Sequence, residues 1–89
     1  PDGSWAGSTP AAQTQQALAN LDAVLTAAGS SRFGVIRATI FLSSMDDFGT
    51  VNEIYSNYFG EHRPARACVE AARLPKDALV EISVIAAVL

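Results

Sequence analysis

The sequence has one cysteine and one histidine, Cys68 and His62, so no disulfide can close within the chain. The same two residues cannot by themselves complete a closed metal site. Charge is scarce as well: 17% of the residues are Asp, Glu, Lys or Arg, and the net charge is −3. Arg32, Arg37, Arg63, Arg66 and Arg73 are scattered and form no basic stripe, which argues against nucleic-acid binding. No apolar run reaches the roughly 18 residues of a membrane span, and no secretory signal pattern is present. There is no glycine-rich phosphate loop after a strand, no serine in a nucleophile elbow, no internal repeat and no linker. With a lone cysteine, the chain suits a reducing compartment and is expected in the cytoplasm.

What the sequence does have is apolar residues, 49% of 89. The chain is read as one domain over residues 1–89. A domain this small buries only about 60–65% of its unfolded surface. So greasy a composition on so small a body predicts an oligomer that hides an apolar face.

"PDGSWAGSTP" (Pro1 to Pro10) reads as turn and loop. Thr9–Pro10 then signals a helix start, and Leu18, Leu21, Leu25 and Ala28 recur at helical spacing with Val24 beside them. Gly29 stands where a helix-ending glycine belongs, so the helix is expected from about Pro10 to Ala28. Phe33 to Ser44 is rich in β-branched and aromatic residues of both parities, which predicts a strand covered on both sides. Ser44 and Asp47 resemble a capping box opening a second helix from about Met45 to Phe59, with Gly60 closing it. Phe48, Val51, Tyr55, Tyr58 and Phe59 form its apolar stripe, and Asn52 intrudes on the stripe's edge. Asn52 either bonds a nearby backbone group or presents its amide to a pocket.

"RPARACVEAARLPKDALVEI" (Arg63 to Ile82) reads as two strands joined by a turn at Pro75–Asp77. Arg66, Cys68 and Glu70 share one face of the first strand, and Glu81 sits alone in the very apolar second. On a hairpin, Arg66 and Glu81 can face the same way. They then either form a salt bridge or bracket a ligand, with Arg66 forking a carboxylate and Glu81 working as a general base on water. Cys68 with His62 could in principle serve as nucleophile and base, but no third orienting group is evident. A small buried cysteine on a strand is the plainer reading. The fold expected is α+β, helix–strand–helix–strand–strand, with two helices on one face of a small mixed sheet.

The run Pro64-Ala-Arg-Ala-Cys-Val-Glu, followed by Leu74-Pro-Lys-Asp and Val80-Glu-Ile, closely resembles the signature of the Rid family, the reactive intermediate deaminases also called YjgF-like. "QTQQALANLDAVLTAAG" and "ATIFLSSMDDFGTVNEIYSNYFGEHRPAR" are similar to that family too. The resemblance implies a chorismate-mutase-like fold and a homotrimer with ligand clefts between subunits. It implies hydrolysis of 2-imino acids or their enamine tautomers, such as 2-iminobutanoate and 2-iminopropanoate, to 2-oxo acids and ammonia without a cofactor. It casts Arg66 as the carboxylate anchor, Glu81 as the residue positioning water, and Asn52 and Cys68 as cleft residues, Cys68 being dispensable for hydrolysis. Family members begin about thirty residues earlier, with a β-hairpin on the scale of ordinary strands, and the chain is expected to lack that hairpin. A non-catalytic trimeric binder of small carboxylates and a chaperone-like module are the alternative functions.

Overall fold

A computed structural model describes residues 9–88. The turn-and-loop reading of Pro1 to Pro10 therefore lies almost wholly outside the described residues. Two helices pack on one face of a three-stranded sheet: α1 (Pro10–Ala27), β1 (Val35–Leu42), α2 (Phe48–Phe59), β2 (Ala65–Glu70) and β3 (Val80–Ala86).

α1 begins as its sequence predicts. Thr9 Oγ1 accepts from the Ala12 amide at 3.1 Å, and Pro10 occupies the first turn, where its missing N–H costs nothing. At the other end the Ser30 amide reaches back to the Leu25 carbonyl at 2.8 Å around Gly29, whose φ is +80°. Leu18 and Leu25 turn inward, whereas Val24 faces solvent. Gln13, itself buried, accepts the Leu79 amide at 2.9 Å and so ties α1 to the start of β3.

Arg32–Gly34 is a 3-10 turn, so the strand starts at Val35 and not at Phe33. The capping box does not close on α2. Ser44 Oγ accepts from the Asp46 amide at 3.2 Å and caps a 3-10 turn, Met45–Asp47, while Glu70 at the end of β2 takes the Met45 amide at 2.7 Å. α2 ends at Gly60, with φ 61° and ψ −124°, backbone that only glycine adopts without strain. No atom lies where a Cβ would go. Gly60→Ala is therefore a clean test of backbone strain, expected to lower unfolding free energy by about 1–3 kcal/mol. An unchanged urea midpoint would show that the chain relaxes at no cost.

The expected hairpin is not formed. The strand order is β2-β1-β3, with β1 parallel to β2 and antiparallel to β3. The helix between β1 and β2 explains the parallel pair, because parallel neighbours need a crossover that only an element like α2 supplies. The Pro75–Asp77 segment is a 3-10 turn with Lys76 and Asp77 both at φ 56°. It belongs to a longer connection that passes over the end of β1. The Ala71 amide donates to Leu42 O at 2.8 Å and the Ser43 amide to Leu79 O at 3.0 Å, while Leu74 and Ala78 plug that end of the sheet.

The core lies between sheet and helices: Val35, Ala38, Ile40 and Leu42 of β1, Val80 of β3, Leu25 of α1, and Val51, Tyr55 and Phe59 of α2. β1 was expected to be covered on both sides. Within the described residues only one side is covered, and the alternate positions Arg37, Thr39 and Phe41 face outward together with Val69, Glu81 and Ile85. Ile85 is 64% and Val69 40% exposed, so this open face is partly apolar.

Candidate functional site

The register decides where each expected site residue points. Arg66, Cys68 and Glu70 stand opposite Ala38, Ile40 and Leu42, so they lie on the helix-covered face of the edge strand β2. Phe41 is the partner of both Val69 and Glu81. Glu81 therefore lies on the open face, with β1 between it and β2. Arg66 and Glu81 do not meet within one chain, and the salt bridge between them is not formed. Arg66 does not pair with Glu70 on its own strand either, since Glu70 is turned to the Met45 amide. Among the described residues the ion pair present is Arg73–Asp77, at 2.8 Å and well exposed, worth little to stability.

Arg66 is instead stacked on α2. Its guanidinium carbon lies 5.0 Å from the Tyr55 ring centroid and 5.9 Å from that of Phe48. Phe48, Asn52 and Tyr55 follow one another at spacings of four and three, which places them in one row on the helix. A guanidinium touching both ends of that row spans the turn that carries Asn52. The face-on contact is a cation–π interaction, worth about 0.5–1 kcal/mol at an exposed site. It also holds the guanidinium against the helix. Apolar-stripe spacing predicts core positions for Phe48 and Tyr55 without signalling this contact. The available signal was the tyrosine hydroxyl one turn beyond a misplaced asparagine.

Asn52 does not make the side-chain-to-backbone bond that a flank asparagine would make. Its Oδ1 is buried without a hydrogen-bond partner, as is Oη of Tyr55. Cys68 is part-buried against the core, one position in from Arg66 on the same face. Burial pushes its thiol above the ordinary range, and the nearby Arg66 charge only partly offsets this. The thiol is thus protonated at neutral pH and a poor nucleophile. His62 is engaged elsewhere, its Nε2 lying 2.9 Å from the Val35 carbonyl and its ring edge-on to Phe33. A thiolate–imidazole pair has no support in this geometry.

Beside the stack is a hollow of about 160 Å³ whose walls include Tyr55, Phe59, His62, Arg63, Pro64 and Arg66. Two guanidinium groups on its lining make it a place for an anion. Tyr55, Arg63 and Arg66 meet on its lining, whereas Asn52, whose Oδ1 is also unpaired, does not reach it. Among the described residues no carboxylate lines the hollow.

Comparison with known proteins bears on what this arrangement is for. The family model described as endoribonuclease L-PSP matches residues 1–88. A RutC family protein of Pyrococcus horikoshii is 54% identical over 74 residues, which is 83% of this chain and 59% of that protein. The 2-iminobutanoate/2-iminopropanoate deaminase of Escherichia coli K12 is 47% identical over 79 residues, 85% of this chain and 62% of the enzyme. Among solved structures, E. coli TdcF with bound serine superposes with a TM-score of 0.85 at 41% identity, covering 90% of this chain and 65% of TdcF. The chain thus spans about three fifths of the length of the curated relatives it matches. With matches of this extent and identity, the chain belongs to the Rid family, also known as the YjgF/RutC family.

Proposed function

We propose that the full protein hydrolyses reactive 2-imino acids, such as 2-iminobutanoate and 2-iminopropanoate, to 2-oxo acids and ammonia. The observation that carries this reading is the Arg66 fork, stacked on Tyr55 and Phe48 of α2, the helix that also carries the unpartnered amide oxygen of Asn52. A carboxylate takes two parallel hydrogen bonds from such a fork. An orphaned amide oxygen suits a ligand N–H, which a protonated imine carries. The 47% identity to the E. coli deaminase supports the same chemistry.

In the reaction Arg66 holds the carboxylate and Asn52 Oδ1 accepts from the iminium N–H. Water then adds to the electrophilic C2, and the proton it loses passes to Glu81. The resulting carbinolamine takes that proton on nitrogen, the C–N bond breaks, and ammonia leaves as the hydroxyl oxygen becomes the carbonyl. The hydroxyl's proton leaves with ammonia as ammonium. Holding water and imine in contact is the main service, because the imine is already reactive. Cys68, a neutral thiol packed against the core, takes no part.

Glu81 of the same chain faces away, so the base must come from a second copy. A homotrimer with clefts between subunits meets this need, setting the open face of one copy against the β2 edge of the next and covering Val69 and Ile85. Arg66→Ala and Glu81→Gln are each expected to lose nearly all activity. Mixed in equal amounts under subunit exchange, they are expected to recover about a quarter of wild-type activity, because each site takes its arginine and glutamate from neighbouring copies of a ring. No recovery after verified exchange would refute the shared site.

The opposite-face placement also favours a second reading, a carboxylate binder without turnover, since one chain holds the anchor but not the base. The test of function separates the two. Iminobutanoate is generated by a threonine dehydratase in the presence of semicarbazide, and the full-length protein is added. Faster 2-oxobutanoate release with less semicarbazone supports the deaminase. Unchanged partition would leave only a binder.

A further inference from the structure

Tyr55 is 4% exposed, yet its hydroxyl has no hydrogen-bond partner. A buried hydroxyl left unpaired costs about 1–3 kcal/mol, and native folds seldom carry that cost without a reason. The ring itself is well held. Phe59 packs against it at 4.7 Å between centroids, and the Arg66 guanidinium carbon lies 5.0 Å from its centre. So the side chain is placed firmly while its polar end is unsatisfied. Burial raises the hydroxyl's pKa, with the Arg66 charge opposing less strongly, so at neutral pH it keeps its proton and can donate.

The same ring forms part of the wall of the 160 Å³ hollow, with Arg63 and Arg66 also on its lining. A cavity of about 150 Å³ holds a benzene molecule, so the space admits a carboxylic acid of a few carbons. The positive lining selects an anion.

We propose that Tyr55 is a substrate-binding residue whose hydroxyl donates to the carboxylate gripped by Arg66. The inference rests on the deaminase reading and deepens it. It makes the anchor two-sided, a fork from β2 and a single donor from α2. An acid with a free planar carboxylate satisfies both, and an uncharged amide or ester of similar size satisfies the pair less well.

Tyr55→Phe keeps the ring and the stack and removes only the oxygen. Calorimetric titration of the full-length protein with 2-oxobutanoate is expected to show about tenfold weaker binding for this variant. KM for the imine should rise by a similar factor with kcat within about twofold, the mark of binding lost without loss of chemistry. Without ligand the variant should melt at the wild-type temperature or above it, because an unpaired buried hydroxyl has been removed. Unchanged affinity for 2-oxobutanoate would overturn the inference. A lower melting temperature of the ligand-free variant would overturn it too, by assigning the hydroxyl a partner within the folded protein. If the wild-type protein itself fails to bind 2-oxobutanoate, the deaminase reading falls and this inference falls with it. If wild type and Tyr55→Phe bind equally, only the role of Tyr55 is lost.

Discussion

Arg66→Ala is expected to lower kcat/KM for 2-iminobutanoate by about 100- to 1,000-fold, on the scale of losing a bidentate charge-assisted pair to a carboxylate. The fold should tolerate the change. Arg66 is exposed on an edge strand and forms no ion pair among the described residues, so its removal forfeits little beyond the stack on Tyr55 and Phe48. The melting temperature should therefore shift by only a few degrees, on the scale of about 1 kcal/mol for a small domain. Arg66→Lys keeps the charge but loses the planar fork and much of the ring contact, so it should recover only part of the activity. Near-normal turnover by Arg66→Ala would refute the anchor.

The largest effect on stability is expected at Ile40. It is 1% exposed in the central strand, between Cys68 on β2 and Ile82 on β3, and it belongs to the cluster that Val51, Tyr55 and Phe59 of α2 complete. Ile40→Ala removes three carbons from a place with neighbours on every side. It leaves a cavity that strands paired on both edges cannot collapse to fill. A cost of about 2–5 kcal/mol follows. Small domains have about 5–15 kcal/mol in total, so the urea midpoint should fall steeply at fixed protein concentration. A loss under about 1 kcal/mol would show that the core repacks around the gap.

The helices and the central strand were legible because their signals are local. Thr9, Pro10 and Gly29 bound α1, and Gly60 ends α2, through chemistry that needs no distant partner. Strand pairing is not local in this sense. Pro75-Lys76-Asp77 has the composition of a hairpin turn, yet it lies in a connection that steps over β1. The clue was the helix between β1 and β2, which calls for a parallel pair and leaves β3 to the far edge. That one misassignment moved Glu81 to the wrong side. Side-chain direction alternates along a strand, so once Phe41 and not a β2 residue is the neighbour of Glu81, the face follows. Arg66, Asn52 and Cys68 stand out in the sequence as site candidates, and the register sets Arg66 and Cys68 on the helix side. The support of Arg66 by Phe48 and Tyr55 does not stand out, because a stack depends on how two elements lie across each other.

The placement of Arg66 and Glu81 on opposite faces has a kinetic meaning. On the proposed arrangement, no chain works alone, and the number of working sites depends on how many chains have found one another. Diluted below the strength of its own assembly, the protein would lose specific activity while every chain stayed chemically intact. Rate would then rise faster than linearly with the amount of protein. The cell's expression level would set the quality of the catalyst as well as its quantity.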